Sequence, residues 1–236
     1  MNLFYSVNIN ESKSKIILSD DENRHLIKVL RKSEGEKITI TDGLGYVYNC
    51  QIINIFKKQT ELKVINYKLV YSNKPKLRIG ISMLKKADRF EWFLEKATEI
   101  GVCEITPIIS QYSEKKKLNM ERSNKIMISA IKQSVRFYLP KLNNPINFDQ
   151  FINESSYEKN NFLATCKNDN LKLFQNSIKK SQDINILIGP EGGFSEKERS
   201  SISSLSSCIC VSLGKRVLRS DTATTAAIFS IQSVIE

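Results

Sequence analysis

The sequence predicts two folding units in one chain: a small strand-rich barrel, then an α/β domain with a mostly parallel sheet. Three observations carry this reading. Up to about residue 70, short β-branched and aromatic runs follow one another with turn residues between them; beyond Pro75, strands and helical stretches alternate; and near the C-terminus two apolar runs each end in a glycine-containing turn that leads into a helix. At 236 residues the chain is long enough for a full core in one large unit or two smaller ones. The change of rhythm favours two, residues 1–72 and 73–236.

In the first unit the strand runs are LFYSVNI from Leu3, KIIL from Lys15, EKITITD from Glu36, YVYNCQIINIF from Tyr46 and LKVINYKLV from Leu62, with a turn at Asp42-Gly43. One helix, Glu22 to Arg31, interrupts them. So short an antiparallel set most naturally closes into a barrel, which removes exposed edges. Ser72, Asn73, Lys74 and Pro75 form the expected linker. The second unit then reads as RIGISML from Arg78, a helix from Phe90 to Ile100, EITPII from Glu104, a helix from Glu121 to Tyr138, NFLAT from Asn161, INILIGP from Ile184, CICVSLG from Cys208 and a closing helix. That alternation implies parallel strands covered by helices on both faces.

The formal charge is +11, and the excess is spread along the chain instead of residing in one tail. A diffuse basic surface suits a partner with many phosphates. A solvated Lys-rich surface produced by composition bias accounts for the same number without any ligand. The five cysteines, Cys50, Cys103, Cys166, Cys208 and Cys210, are scattered, and His25 is the only histidine, so neither a zinc site nor a disulfide framework is expected. Reduced, mostly buried thiols follow. MNLFYSVNIN has no basic n-region or apolar h-region, and no run approaches about 18 apolar residues, so the expectation is a cytoplasmic protein with no membrane segment.

Three segments are candidates for chemistry. In Gly189-Pro190-Glu191-Gly192-Gly193-Phe194-Ser195, adjacent glycines permit close approach of a ligand, and Ser195 with Glu198 forms a capping box that starts a helix. The spacing fits neither the dinucleotide fingerprint nor the phosphate loop, and a bare strand-to-helix turn would use the same glycines. In Leu213-Gly214-Lys215-Arg216-Val217-Leu218-Arg219, three cations surround a glycine at a strand mouth, placed for phosphate or base contact, while Ser220 or Asp221 can cap the helix that follows. In the helix after Leu84, Phe90, Phe93, Leu94, Ala97 and Ile100 form one apolar stripe ended by Gly101. Lys85, Lys86 and Arg89 precede the helix instead of ending it, and cations at a helix N-terminus oppose the dipole, so a negatively charged ligand would suit them. Glu95 and Glu99 face Lys96 or solvent.

Taken together, DRFEWFLEKATEIGV, IKQSVRFYLP, IGPEGGFSEKE and LGKRVLRSDTATTAA resemble, in order and spacing, the RsmE family of ribosomal RNA uridine methyltransferases, a branch of the SPOUT superfamily. RHLIKVLRKSEGEKITITDG from Arg24 is similar to the same family's N-terminal region. The resemblance implies an N-terminal PUA-like RNA-binding β-barrel (1–72) and a SPOUT α/β domain with a C-terminal trefoil knot (73–236) for cofactor binding and dimerisation. It also implies transfer of a methyl group from S-adenosyl-L-methionine to N3 of one uridine in the decoding region of 16S ribosomal RNA, free or in the small subunit, by a homodimer. The family commonly has Thr-Glu where this chain has Ser220-Asp221, and often a second histidine where Arg24 stands.

On that basis the cofactor pocket is expected from three loops: Leu163 and Thr165; Ile188, Gly189, Pro190, Glu191, Gly192 and Gly193; and Leu213, Gly214, Val217 and Leu218. Arg219, or Arg216 as second choice, would stabilise the anion developing on uracil or hold its phosphate, and Asp221 would orient that arginine or accept the N3 proton. Arg24, His25, Lys28, Arg31, Lys86, Arg89 and Arg136 are the expected RNA contacts, with no metal. Two alternatives stay open: a knotted methyltransferase acting on another base or a ribose 2′-hydroxyl, and a non-catalytic ribosome assembly factor.

Overall fold

The computed structural model describes residues 3–71, 76–153, 161–165, 171–178, 183–203 and 208–235. The linker expected at 72–75 and Cys166 lie outside these. The chain divides into two compact units, residues 1–73 with 128–139 and residues 74–127 with 140–236.

The first unit is a five-stranded curled sheet, order β1-β3-β4-β5-β2, built from β1 (Leu3–Tyr5), β2 (Lys15–Ser19), β3 (Lys37–Thr41), β4 (Tyr46–Ile55) and β5 (Gln59–Leu69). Inward positions alternate along each strand, so Phe4, Ile16, Leu18, Ile38, Ile40, Tyr48, Cys50, Ile52 and Leu62 meet in one core. Two register shifts interrupt the β4–β5 ladder, between Asn49 and Cys50 and between Ile52 and Asn54, the kind of irregularity that kinks a strand. The set is not wholly antiparallel as expected, because β1 runs parallel to β3. The reason is that the chain leaving β1 crosses directly to β2: Ser6 N–H donates to Thr41 O at one edge, and Ile17 N–H donates to Asn8 O at the other. One short segment thereby bridges both edges of the sheet.

The helix expected at Glu22–Arg31 starts earlier and changes pitch. α1 spans Asp20–Arg24 and widens into a π-helical turn over His25–Val29, which plants Leu26 in the barrel core. Arg31, left-handed at φ 49°, ends it.

The second unit is a seven-stranded sheet in which every strand pairing among the described residues is parallel, order β12-β10-β11-β6-β7-β8, with β9 also on β7. Its strands are β6 (Leu77–Ser82), β7 (Glu104–Ile109), β8 (Lys141–Leu142), β9 (Ile146–Asn147), β10 (Asn161–Ala164), β11 (Ile184–Ile188) and β12 (Cys208–Val211). All five residues of β11 are buried, as a strand covered on both faces requires. β12 returns beside β10, on the side away from β11, and the closing helix then packs against β11 and the second helix.

The helices are α2 (Ala87–Ile100), α3 (Met120–Gln133), α4 (Phe148–Asn153), α5 (Glu196–Ser203) and α6 (Ser220–Ile235). α2 buries Phe90, Phe93, Leu94 and Ala97 as its periodicity indicates, adds Thr98, and closes on Gly101 at φ 101°. Lys96 bonds both Glu95 and Glu99. The expected helix Glu121–Tyr138 stops at Gln133 instead. Val135 turns left-handed, Arg136 N–H reaches back to Ile131 O, and the next residues leave the helix to pair with the β3–β4 turn through Gly45 N–H to Phe137 O and Leu139 N–H to Gly43 O. Tertiary hydrogen bonding overrides helical periodicity there. β8, β9 and α4 carry no strong sequence signal.

Among the described residues the four thiols are free but not mostly buried: Cys50 is buried, Cys208 and Cys210 are half-buried and Cys103 is exposed. Burial, reinforced by neighbouring Cys210, pushes the Cys208 thiol up to about 12. No helix among the described residues is long and apolar enough to cross a membrane.

Phe93 has no solvent exposure and stacks edge-on against Phe90, so Phe93→Ala should destabilise the second unit by about 3–5 kcal/mol. Urea unfolding measures it, and a loss under about 1 kcal/mol would show that the site collapses around the void.

Candidate active site

Three adjacent parallel strands, β12, β10 and β11, end on the same side of the sheet, with Leu163 opposite both Leu187 and Cys210. The carboxyl edge of such a sheet is where ligands of open α/β folds bind. Each strand leads into a turn there, and the three turns enclose one cleft.

After β10, Thr165 N–H donates to Val211 O, which carries the ladder one residue beyond the strand and presents Leu163, Ala164 and Thr165 to the cleft. After β11, Gly193 N–H donates to Pro190 O and closes a turn whose Gly193 is left-handed at φ 72°. Phe194 anchors this turn, packing its ring on Phe148 at 5.6 Å. The expected capping box then forms: Ser195 N–H donates to Glu198 Oε2 at 2.8 Å, and Glu198 N–H donates to Ser195 Oγ at 3.3 Å. The other oxygen of Glu198 accepts the Gln111 N–H at 2.7 Å, so one buried carboxylate ties α5 to the loop after β7. Tyr112 in that loop lies behind Gly192, about 3.5 Å from where a β-carbon at Gly192 would stand.

After β12, Ser212 accepts from Gly214 N–H through its hydroxyl, while its own backbone bridges to Lys172 and Phe174. Gly214 is left-handed at φ 131°. With Gly193 it is one of two cleft glycines whose backbone conformation a side chain would strain. The loop from Lys215 to Val217 is exposed, and Arg219 O accepts the first helical bond of α6 from Ala223 N–H. Ser220 and Asp221 therefore lie in the first turn of the helix, where Asp221 Oδ1 accepts the Thr222 N–H at 2.9 Å and so satisfies one first-turn donor, as expected of a capping carboxylate.

All twelve residues expected to hold a cofactor line this cleft: Leu163, Thr165, Ile188, Gly189, Pro190, Glu191, Gly192, Gly193, Leu213, Gly214, Val217 and Leu218. Of the three residues expected to be catalytic, Arg216 is in the wall, and Arg219 and Asp221 are not among the lining residues. Phe194, Arg199 and Ala223 line the cleft without having been anticipated. Arg199 donates to Phe194 O, and it stands one helical turn after Ser195, a spacing from which its position could have been inferred.

The expected RNA contacts separate. Arg24, His25, Lys28 and Arg31 share the α1 and π-turn segment of the first unit and are exposed, with His25 edge-on to Phe4 and Arg24 3.6 Å from Asp21. Arg136 belongs to the same unit. Lys86 precedes α2 in the second unit and is exposed. Arg89 faces Glu191 and Asp221, each at 3.9 Å. Among the described residues no cluster of three or more His, Cys, Asp or Glu is placed for a metal ion.

Residues 72–232 match the family model described as an RNA methyltransferase domain, and residues 18–65 match the RNA methyltransferase PUA domain. The ribosomal RNA small subunit methyltransferase E of Buchnera aphidicola subsp. Acyrthosiphon pisum is 32% identical over 91% of this chain and 86% of that protein. The chain belongs to the ribosomal RNA small subunit methyltransferase E family. Among solved structures, a probable rRNA-methyltransferase from Porphyromonas gingivalis superposes with a TM-score of 0.90 at 31% identity, covering 99% of this chain and 98% of that one. The small subunit methyltransferase E of Neisseria gonorrhoeae, solved bound to S-adenosyl methionine, gives a TM-score of 0.86 at 30% identity over 99% and 97% of the two chains.

Replacing Glu198 by Ala would strand the buried Ser195 N–H and release the Gln111 N–H, which is only partly buried. The expected loss is roughly 1–3 kcal/mol for an unsatisfied buried donor, read as a shift in denaturant midpoint.

Proposed function

We propose that the protein transfers a methyl group from S-adenosyl-L-methionine to N3 of one uridine in the decoding region of 16S ribosomal RNA. The observation that carries this reading is the convergence of three strand-end turns on one cleft, two of them held by left-handed glycines. Its walls combine apolar Leu163, Ile188, Val217 and Leu218 with a guanidinium, Arg216, which suits a ligand that is part nucleoside and part charged chain. The Neisseria gonorrhoeae relative, solved with this cofactor bound, supports the same occupant.

Held by these walls, the cofactor would supply an electrophilic methyl on a sulfonium sulfur, for transfer to uracil N3 with the thioether as leaving group. The work of the protein is positioning and electrostatics. The turn backbones from Ile188 to Gly193 and from Leu213 to Leu218 hold the nucleoside part. Uracil N3 must lose its proton, and Asp221, which shares Arg89 with the cleft residue Glu191, is the carboxylate we assign to accept it or to orient the group that does. Placement in the wall supports Arg216 as the cation opposite the developing uracil anion. Arg219, exposed at the start of α6, takes a phosphate of the bound strand.

The exposed Arg24, His25, Lys28 and Arg31 of the first unit, with Arg136 and Lys86, contact the RNA backbone. The passage of the chain from β11 past β10 to β12, and back to β11 through α6, supports the trefoil knot implied by resemblance. α6 leaves Phe229 59% exposed. An exposed aromatic on this helix supports a homodimer through this face.

The deciding experiment treats unmodified small subunits with the purified protein and labelled cofactor, then maps the label by mass spectrometry. Label at uridine N3 is expected; label on another base or on a ribose overturns the assignment. Arg216→Ala should lower kcat about 10²-fold or more while leaving cofactor affinity within a few-fold, on the scale of a lost transition-state donor. Affinity for RNA should fall by roughly 0.7–0.9 decades per decade of salt for each phosphate neutralised, and a flat response argues against the basic face. Sedimentation should give a dimer for the native chain and a monomer for Phe229→Asp.

A further inference from the structure

We propose that Arg89 is a positioning residue for methyl transfer, a strut that holds the two turns of the cleft at their working separation through Glu191 and Asp221. The inference rests on the function proposed above and adds a residue whose side chain reaches the site from outside the cleft wall.

The starting point is an oddity of α2. Arg89 is its third residue, and a cation in the first turn of a helix opposes the positive end of the dipole. Some anion must offset that placement. The structure supplies two: Arg89 Nη1 is 3.9 Å from Glu191 Oε1, and its Nε is 3.9 Å from Asp221 Oδ2. By contrast Lys85, in the same cationic group, is 62% exposed and pairs with an equally open Glu114. The side chains of the Arg89 group are only 26%, 37% and 16% exposed for Arg89, Glu191 and Asp221, so solvent screens these contacts less than those of a surface pair.

The two carboxylates belong to different parts of the site. Glu191 lies in the turn after β11 and lines the cleft; Asp221 follows the turn after β12, in the first helical turn of α6, two residues before Ala223 of the cleft wall. Among the described residues no backbone hydrogen bond joins those two turns, and two negative charges so close to one cation would repel each other without it. The planar guanidinium is suited to the task because it presents donors in more than one direction, whereas an ammonium is a compact point charge. A strut of this kind fixes the carboxylate assigned to the proton while touching neither cofactor nor uracil.

This role differs from RNA contact in what it predicts. Single-turnover and steady-state kinetics on small subunits, with cofactor affinity by calorimetry and a melting curve for each variant, separate the two. Arg89→Ala should lower kcat about tenfold or more with KM for RNA changed by less than about twofold. Combined with Asp221→Asn it should slow the reaction no further than Asp221→Asn alone, within about twofold, because the strut acts through that carboxylate. Arg89→Lys should recover part of the rate. If Arg89→Ala does not fold, the same cycle is run with Arg89→Lys and Arg89→Gln.

A raised KM for RNA with a shallower salt dependence and unchanged kcat would make Arg89 an RNA contact and overturn the proposal. Multiplicative effects in the double variant would do the same. Should the wild-type chain bind no cofactor and transfer no methyl, the functional reading fails first, whereas an active wild type with an equally active Arg89→Ala removes the strut alone.

Discussion

The site depends on the parallel pairing of β12, β10 and β11. Three neighbouring strands running the same way must end on the same edge, so the turn that follows each of them opens at one place. The pairing also sets the scale. Adjacent strands lie about 4.8 Å apart, which puts the outer turns about two strand spacings from one another, a gap of nucleoside width. Gly193 and Gly214 let the two outer turns fold back without a side chain intruding, at φ values that other residues adopt only under strain.

Rigidity comes from groups behind the turns. Glu198 serves two backbone donors from different segments, so the start of α5 and the loop carrying Tyr112 are tied together beside the Gly192 turn. Phe194 locks the same turn into the hydrophobic cluster of Phe148, Phe151 and Leu187. Cleft residues held by packed neighbours can be preorganised, and a reaction that relies on positioning needs that more than it needs reactive side chains. The charge pattern fits the same logic. The chain is basic throughout, yet beside the cleft the cation of Arg89 is balanced by carboxylates, while Arg216 and Arg219 are left exposed on the loop toward solvent.

Much of this was legible in the order of residues. Alternating strand and helix patterns gave the parallel sheet, and period-two alternation gave the barrel core, because burial on one or two faces writes itself directly into hydrophobic spacing. The paired glycine turns and the Ser195–Glu198 box were readable for a similar reason: left-handed backbone and helix capping each demand particular residue types within a few positions. The end of α3 was not legible. Its apolar pattern runs on toward Tyr138, but the backbone of Phe137 and Leu139 found partners in a turn more than 90 residues away in sequence. The parallel β1–β3 pair was hidden for the same reason, since strand direction is set by where the chain must go next.

The sequence by itself determined the two kinds of fold, the glycine turns and the helix that begins at Ser195, all consequences of interactions within a few residues. Only the tertiary structure decided that Arg216 and not Arg219 lines the cleft, that Arg89 faces Glu191 and Asp221, and that Glu198 ties two loops together. These are contacts between segments dozens to more than a hundred residues apart, and no local pattern records which distant carboxylate a given cation will meet.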